Sequence, residues 1–262
     1  MSPIIDTHIH FDDSRFDHDR DEVYQRAVDS GVEAMIVPAV TRERWTHVDA
    51  VSKNYKNVFS TAGLHPVFCN KHHTNDLVLL EKKLHEDKPV AIGECGLDGF
   101  INNTSLAVQK NYFSVQLELS KQFGLPAIIH ARDAVEEVIL LLRQHALDNR
   151  NGNGVIHSYN GSLQQAHRLI DLGYLLSFGG PVSYTRSHKV HNLVKKLPLE
   201  SMMLETDAPD QPTLKNRGNR NEPAYINEVL MAVAALRKES IDVIAESSNR
   251  NAKRLFNLQK IL

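Results

Sequence analysis

Short apolar bursts alternate with longer amphipathic stretches along the whole chain. Ile4-Ile5-Asp6-Thr7-His8-Ile9-His10 opens it as a period-two strand, with Asp6, His8 and His10 on one face and Ile5, Thr7 and Ile9 on the other. Residues 21–30 then have helical character, and Gly31 is a natural stop. Further strands are predicted at 33–38, 58–63, 89–94, 126–130, 154–157, 174–178 and 201–206. Between and after them, helical spacing falls at 42–54, 77–86, 107–123, 134–145, 163–172, 188–196, 223–238 and 241–256. Strict alternation of strand and helix implies a parallel sheet. Eight such repeats in 262 residues imply one α/β domain spanning 1–262, a closed (β/α)8 TIM barrel rather than an open doubly wound sheet.

Composition narrows this picture without changing it. The chain is 42% hydrophobic, enough for a full core, and no apolar run approaches the ~18–20 residues of a spanning helix. No charged segment followed by an apolar one marks a secretory signal, so a cytoplasmic protein with no membrane partner is expected. The two cysteines, Cys69 and Cys95, suit a reducing compartment and imply no disulfide framework. A net charge of −2 argues against sequence-blind coating of duplex DNA. It leaves room for a small cationic pocket. No exposed apolar stripe points to an obligate protein partner.

The chemistry lies in where the ligand-type residues fall. His8, His10, Glu94, His130, His157 and Asp207 each sit at or just beyond the C-terminal end of a predicted strand. In a barrel these ends converge on the face that carries active sites. Imidazoles and carboxylates suit zinc, manganese, iron or cobalt without any thiolate. Six donors exceed one tetrahedral centre, so two divalent ions are expected, bridged by Glu94 and usually ~3.5–4 Å apart in hydrolytic pairs. Asp207 is then a metal ligand, the base that takes a proton from water, or both.

Asp6-Thr7-His8-Ile9-His10, Gly63-Leu64-His65-Pro66, Ala91-Ile92-Gly93-Glu94-Cys95-Gly96-Leu97-Asp98, Ile129-His130-Ala131-Arg132-Asp133-Ala134, Gly154-Val155-Ile156-His157-Ser158 and Leu204-Glu205-Thr206-Asp207-Ala208-Pro209 together resemble the TatD family of metal-dependent hydrolases. The likeness extends to the terminal Asn251-Ala252-Lys253-Arg254-Leu255-Phe256, and its specificity lies in motif order and spacing. It implies an amidohydrolase-like barrel and deoxyribonuclease activity on single-stranded DNA, often from the 3′ end; the two divalent ions expected from the donor count are zinc, manganese or magnesium. It also carries the ligand roles onto His8, His10, Glu94, His130, His157 and Asp207, with Glu94 and Asp207 catalytic. Two departures bear on substrate preference: Gly99 stands where many relatives have an aromatic residue, and Asp210-Gln211 follows Asp-Ala-Pro.

Other residues have two readings each. His65 is a contact to a substrate phosphate or a structural loop histidine. Arg132 holds a phosphate oxygen or pairs with Asp133 at a helix start, and the phosphate is preferred. Lys215, Arg217 and Arg220 form a basic loop, either simply solvated or a device for capturing an anionic strand, with Arg217 and Arg220 as its candidate substrate contacts. Glu205 shares the inward face of Asp207 and is placed to orient a ligand or water. Cys95 and Trp45 are read as packing. Two rival functions remain: a metal-dependent amide, ester or lactone hydrolase acting on a small substrate, and a non-catalytic nucleic-acid-binding protein with structural metals. Structural sites usually close with four ligands, which argues against the second.

Overall fold

The structure, a computed structural model, describes residues 3–146 and 152–260. Among these residues eight strands alternate with helices. Strand β1 (Ile4–Asp6) is followed by α1 (Arg20–Asp29), β2 (Val32–Val37) by α2 (Arg42–Asn54), and β3 (Val58–Ser60) by α3 (Thr74–Asp87). Then come β4 (Ile92–Asp98), α4 (Leu106–Phe123), β5 (Ala127–Arg132), α5 (Val135–Gln144), β6 (Gly154–Ile156) and α6 (Leu163–Asp171). The chain continues through β7 (Tyr174–Phe178), α7 (His188–Lys196) and β8 (Met202–Leu204) to α8 (Ile226–Arg237) and α9 (Ile241–Leu255). Every strand pair is parallel, in two arcs ordered β1-β2-β3 and β4-β5-β6-β7-β8. Hydrogen bonds cross both gaps between the arcs. Gly93 N donates to Ala62 O (2.9 Å) on one side, and Thr7 N donates to Leu204 O (3.2 Å) on the other. The fold is a TIM-barrel-like α/β fold.

Period-two alternation divides the strand residues between two apolar layers. Ile5, Ala34, Ile36, Ile128, Val155, Leu175 and Met203 point inward and pack together. Their neighbours Ile4, Met35, Val37, Ile129, Ile156, Leu176, Met202 and Leu204 face the helices. The inner cluster is completed at the strands' N-terminal end by Ala252, Leu255 and Phe256 at the end of α9, and by Leu258. Asn251 fastens α9 there, donating to Leu199 O (2.7 Å) and Met202 O (2.8 Å). The terminal Asn-Ala-Lys-Arg-Leu-Phe segment is thus a floor plug. With one end filled by apolar side chains, the other is left for chemistry.

Two strands depart from the expected alternation, and both departures serve that open end. The opening strand stops at Asp6 instead of running to His10. The Asp6 carboxylate accepts from His8 N (3.3 Å), Thr206 N (3.0 Å) and the Thr206 hydroxyl, and so turns the chain out of the ladder. In β4 the register against β5 slips between Ile92 and Cys95. Such a bulge re-aims the side chains beyond it. Ile92, Cys95 and Leu97 stay in the outer apolar layer, while Glu94 and Asp98 turn to the open end. The strand consequently runs on to Asp98, past its predicted end at residue 94. Gly96 permits this: its φ is +129°, and an added Cβ would lie 2.1 Å from His130 O on the neighbouring strand.

Candidate metal centre and the cavity above it

Two residues beyond inward-facing Ile128 and Val155, the same alternation delivers His130 and His157. Two and four residues beyond Met203 it delivers Glu205 and Asp207. These meet His8, His10 and Glu94 in one buried cluster. Glu94, only 1% exposed, is its hub. Its Oε1 lies 2.9 Å from His157 Nε2, 2.9 Å from His65 Nε2 and 3.2 Å from His130 Nδ1. Its Oε2 lies 3.3 Å from His8 Nε2 and 3.7 Å from His10 Nε2. Asp207 Oδ1 stands 3.6 Å from the Nε2 atoms of both His8 and His10. The His8 and His157 rings stack with centroids 4.0 Å apart.

Surrounding groups fix the orientation of these rings. Asp98 Oδ2 accepts from His130 Nε2 (2.9 Å), which leaves His130 Nδ1 facing Glu94. Holding the far nitrogen with a carboxylate is the usual way a metal-binding histidine is oriented. Asp98 Oδ1 also accepts from Phe100 N and Ile101 N, tying the following loop to the same carboxylate. Glu205, fully buried, accepts from Ser158 N (2.7 Å) and from the Ser177 hydroxyl, and stands 3.7 Å behind His157 Nδ1. Gln211 donates to Asp207 Oδ2 and accepts from Ser158 Oγ (2.8 Å).

Charge balance follows from burial and proximity. Burial opposes ionisation of Glu94, but the imidazoles of His65, His157 and His8 packed around it overcome that and hold the carboxyl well below its ordinary range. Burial likewise opposes charge on His157, yet Glu94 and then Glu205 raise its pKa well above the usual imidazole value. At His65 burial wins over Glu94, and the pKa falls to about 4.

The donor set fits divalent cations. Nitrogen and carboxylate donors of His8, His10 and Asp207 lie within 4.8 Å of one another, as do those of His65, Glu94 and His130, and of His8, His157 and Glu205. Both ring nitrogens of His8, Oε2 of Glu94 and Nδ1 of His157 are buried without a hydrogen-bond partner. Buried polar atoms left this way cost about 1–3 kcal/mol each, so three imidazole nitrogens around one half-satisfied carboxylate mark a place built for a ligand.

The structure gathers all six predicted ligands but distributes the predicted substrate residues. His65 is 7% exposed, and both of its nitrogens are engaged within the protein: Nδ1 accepts from Val67 N (3.1 Å), so Nε2 donates to Glu94. It lines the cavity and, in this structure, supports the cluster through Glu94. Arg132 is exposed on the cavity wall, its guanidinium 3.9 Å above the Phe100 ring, and it does not pair with Asp133. Arg217 is exposed and lies outside the cavity lining. Arg220 is turned away, donating to both Asp19 oxygens (2.7 and 2.6 Å) and to Glu222 (2.9 Å). Asp19, distant in sequence, and Glu222, two residues on, have claimed its charge, and it is a structural tie. Sequence reasoning missed Asp98 and Gln211. The first carries a signal, since period-two spacing from Glu94 puts it on the same face in the Gly-Leu-Asp motif; the second was visible only as a departure from relatives.

A cavity of about 1190 Å³ opens above the cluster, lined by His10, Glu94, His130, His157 and Asp207 at its base. A TIM-barrel-like fold with a histidine–carboxylate centre at the strands' C-terminal ends defines the class, a metal-dependent hydrolase. The chain belongs to the TatD family: the family model described as TatD related DNase matches residues 5–257. It is 39% identical to the metal-dependent hydrolase YjjV of Escherichia coli K12 over 97% of this chain and 98% of that one. It is 34% identical to the metal-dependent hydrolase YabD of Bacillus subtilis 168, over 97% and 99% of the two chains. The crystal structure of YjjV superposes with a TM-score of 0.92, at 38% identity over 97% of this chain and 98% of the other. A TatD family hydrolase from Entamoeba histolytica shares the fold at 21% identity, with a TM-score of 0.82 over 97% and 98% of the chains. Among the described residues no helix is long and apolar enough to cross a membrane.

Proposed function

We propose that this hydrolase is a deoxyribonuclease that cleaves phosphodiester bonds of single-stranded DNA from the 3′ end, using two divalent ions. The observation that carries the reading is the position of Glu94. One of its oxygens faces His8 and His10, and the other faces His130 and His157, which is how one carboxylate spans a pair of ions. The abundance of imidazole favours Zn2+ or Mn2+ over Mg2+, which prefers oxygen ligands. Such a pair, when bound, supplies Lewis-acid activation of water and of the phosphoryl group. His8, His10 and Asp207 would hold one ion, His130 and His157 the other, with Glu94 between them.

The remaining steps belong to this chain's own side chains. Asp207 is positioned to take the proton of the attacking water at Oδ1, because Gln211 occupies its Oδ2. Asp98 holds His130 from behind, Glu205 backs His157 at 3.7 Å, and His65 donates to Glu94 Oε1, which orients the carboxylate. Arg132 on the cavity wall is placed to meet a phosphate oxygen. The family description as a DNase supports the choice of phosphodiester over carbonyl substrates.

The test is metal-stripped protein and a single-stranded oligodeoxynucleotide labelled at its 5′ end, with Zn2+, Mn2+, Mg2+ or no metal added. The expected result is a metal-dependent ladder shortening from the 3′ end. Binding without turnover would replace the proposal with a nucleic-acid-binding role. Neither binding nor cleavage by metal-loaded protein would replace it with a hydrolase of small amides, esters or lactones.

A further inference from the structure

The cavity is larger than the metal centre requires. At about 1190 Å³ it lies above the ~300–1,000 Å³ usual for a small-molecule site. From its base it extends under the start of α7, where Arg186, Ser187, His188 and Lys189 line it. The charges on its walls outside the metal centre are unevenly satisfied. Of the carboxylates, Glu136 is held by both guanidinium nitrogens of Arg168 (2.8 Å each), Glu137 by Lys110, and Asp210 by Arg15 (2.9 and 2.7 Å), leaving Asp133. None of the cations Arg132, Arg186 and Lys189 has a carboxylate partner among the described residues. Arg132 lies on Phe100, Lys189 donates to the neutral Asn160 O, and Arg186 is exposed without an ion pair. Three unpaired cations therefore share this cavity with one unpaired carboxylate, in a chain whose net charge is −2.

The helix starts around the cavity differ in the same sense. α5 carries Glu136 and Glu137 in its first turn, and α6 is closed by the Ser162–Gln165 capping box. α7 has no acid in its first turn and no side-chain cap, and Arg186 and Lys189 flank its start. Unpaired cations in an open cavity contiguous with a hydrolytic centre favour a second anionic group of the same substrate.

We infer that Arg186 and Lys189 form a subsite for a phosphate of the bound strand beyond the scissile one. The inference rests on the phosphodiesterase reading and extends it. The strand runs from the centre at Glu94, past Arg132, to the start of α7.

The experiment compares wild-type, Arg186→Ala, Arg186→Lys and Lys189→Ala holoenzymes on two substrates, a ten-nucleotide single-stranded DNA and bis(p-nitrophenyl) phosphate. Both positions are exposed, so the substitutions leave the core intact. Arg186→Ala is expected to raise KM for the oligonucleotide by about tenfold, the scale of one charge-assisted hydrogen bond. Its loss on the small diester should be smaller by about the same factor. Arg186→Lys should recover part of the loss. The logarithmic salt dependence of oligonucleotide binding should fall by about 0.7 per lost contact. An active wild-type enzyme whose variants lose equally on both substrates, or on neither, overturns the subsite alone. A wild-type enzyme inert on both diesters with every metal overturns the phosphodiesterase reading and the subsite with it.

Discussion

Two dense clusters of charged residues lie within a few residues of one another in the chain, yet they are built on opposite terms. Around Glu94 the polar atoms are buried and incompletely partnered: His8, His157 and Glu94 itself all retain unsatisfied nitrogens or oxygens. Around Arg220 the guanidinium is satisfied several times over. It bonds Asp19, Glu222 and Arg15 O and stacks on Phe16, while Arg26 joins the same Glu222 and Arg15 the nearby Asp210. Together these pairs tie the segment after β8 to α1. A buried group left unpaired costs stability and persists where a ligand will complete it. A half-exposed group fully paired has no capacity left for a ligand. The difference between binding and structural charge is thus legible in the partners rather than in the residue types.

The largest effect should come from removing the hub of the unsatisfied cluster. Glu94→Ala is expected to lower metal-dependent turnover by roughly a thousandfold or more while the protein stays folded by circular dichroism. Substantial activity in the folded variant would mean that the centre does not depend on this carboxylate. Asp98→Asn sharpens the contrast one step out. It keeps an oxygen for Phe100 N and Ile101 N but weakens the hold on His130, and should raise the metal concentration needed for half-maximal activity about 10–100-fold. An unchanged metal requirement would reduce Asp98 to a loop staple.

Three of the six candidate ligands were readable because two simple rules coincide at them: alternation selects the inward face, and barrel geometry brings strand ends together. His130, His157 and Asp207 follow from those rules directly. His8, His10 and Glu94 do not follow from alternation, because the Asp6 turn and the β4 bulge intervene; their motifs gave them away. Charge partners were the illegible part. Arg220 meets Asp19 across 201 positions of sequence, and Arg15 meets Asp210 across 195, so no local pattern reports either pair. The departure at Asp210-Gln211 likewise gained meaning only in three dimensions, where Asp210 secures Arg15 and Gln211 holds Asp207. Gly99, the other departure, brings its loop against Asp133, since an added Cβ would lie 2.6 Å from Asp133 O.

The smallest effects belong to the satisfied cluster. Arg220→Ala should cost about 1 kcal/mol, the scale of a partly exposed ion-pair network, and lower Tm by roughly 2–4 °C. Turnover should be nearly unaffected; a rise in KM for DNA at unchanged Tm would return Arg220 to the substrate. Acid sharpens the test. The Arg220 guanidinium holds the Asp19 carboxyl at about 2, below its ordinary 3.8. Because the folded-state value is the lower one, this stabilisation is complete above the ordinary value and is lost as pH falls from there through about 2. The stability gap between wild type and Arg220→Ala should therefore be flat from pH 7 to about 5 and narrow below about 4. It should shrink toward the remainder supplied by the bond to Arg15 O and the packing on Phe16, neither of which titrates. A gap equally wide at pH 6 and pH 3 in denaturant titrations would mean that Asp19 is not the partner that matters.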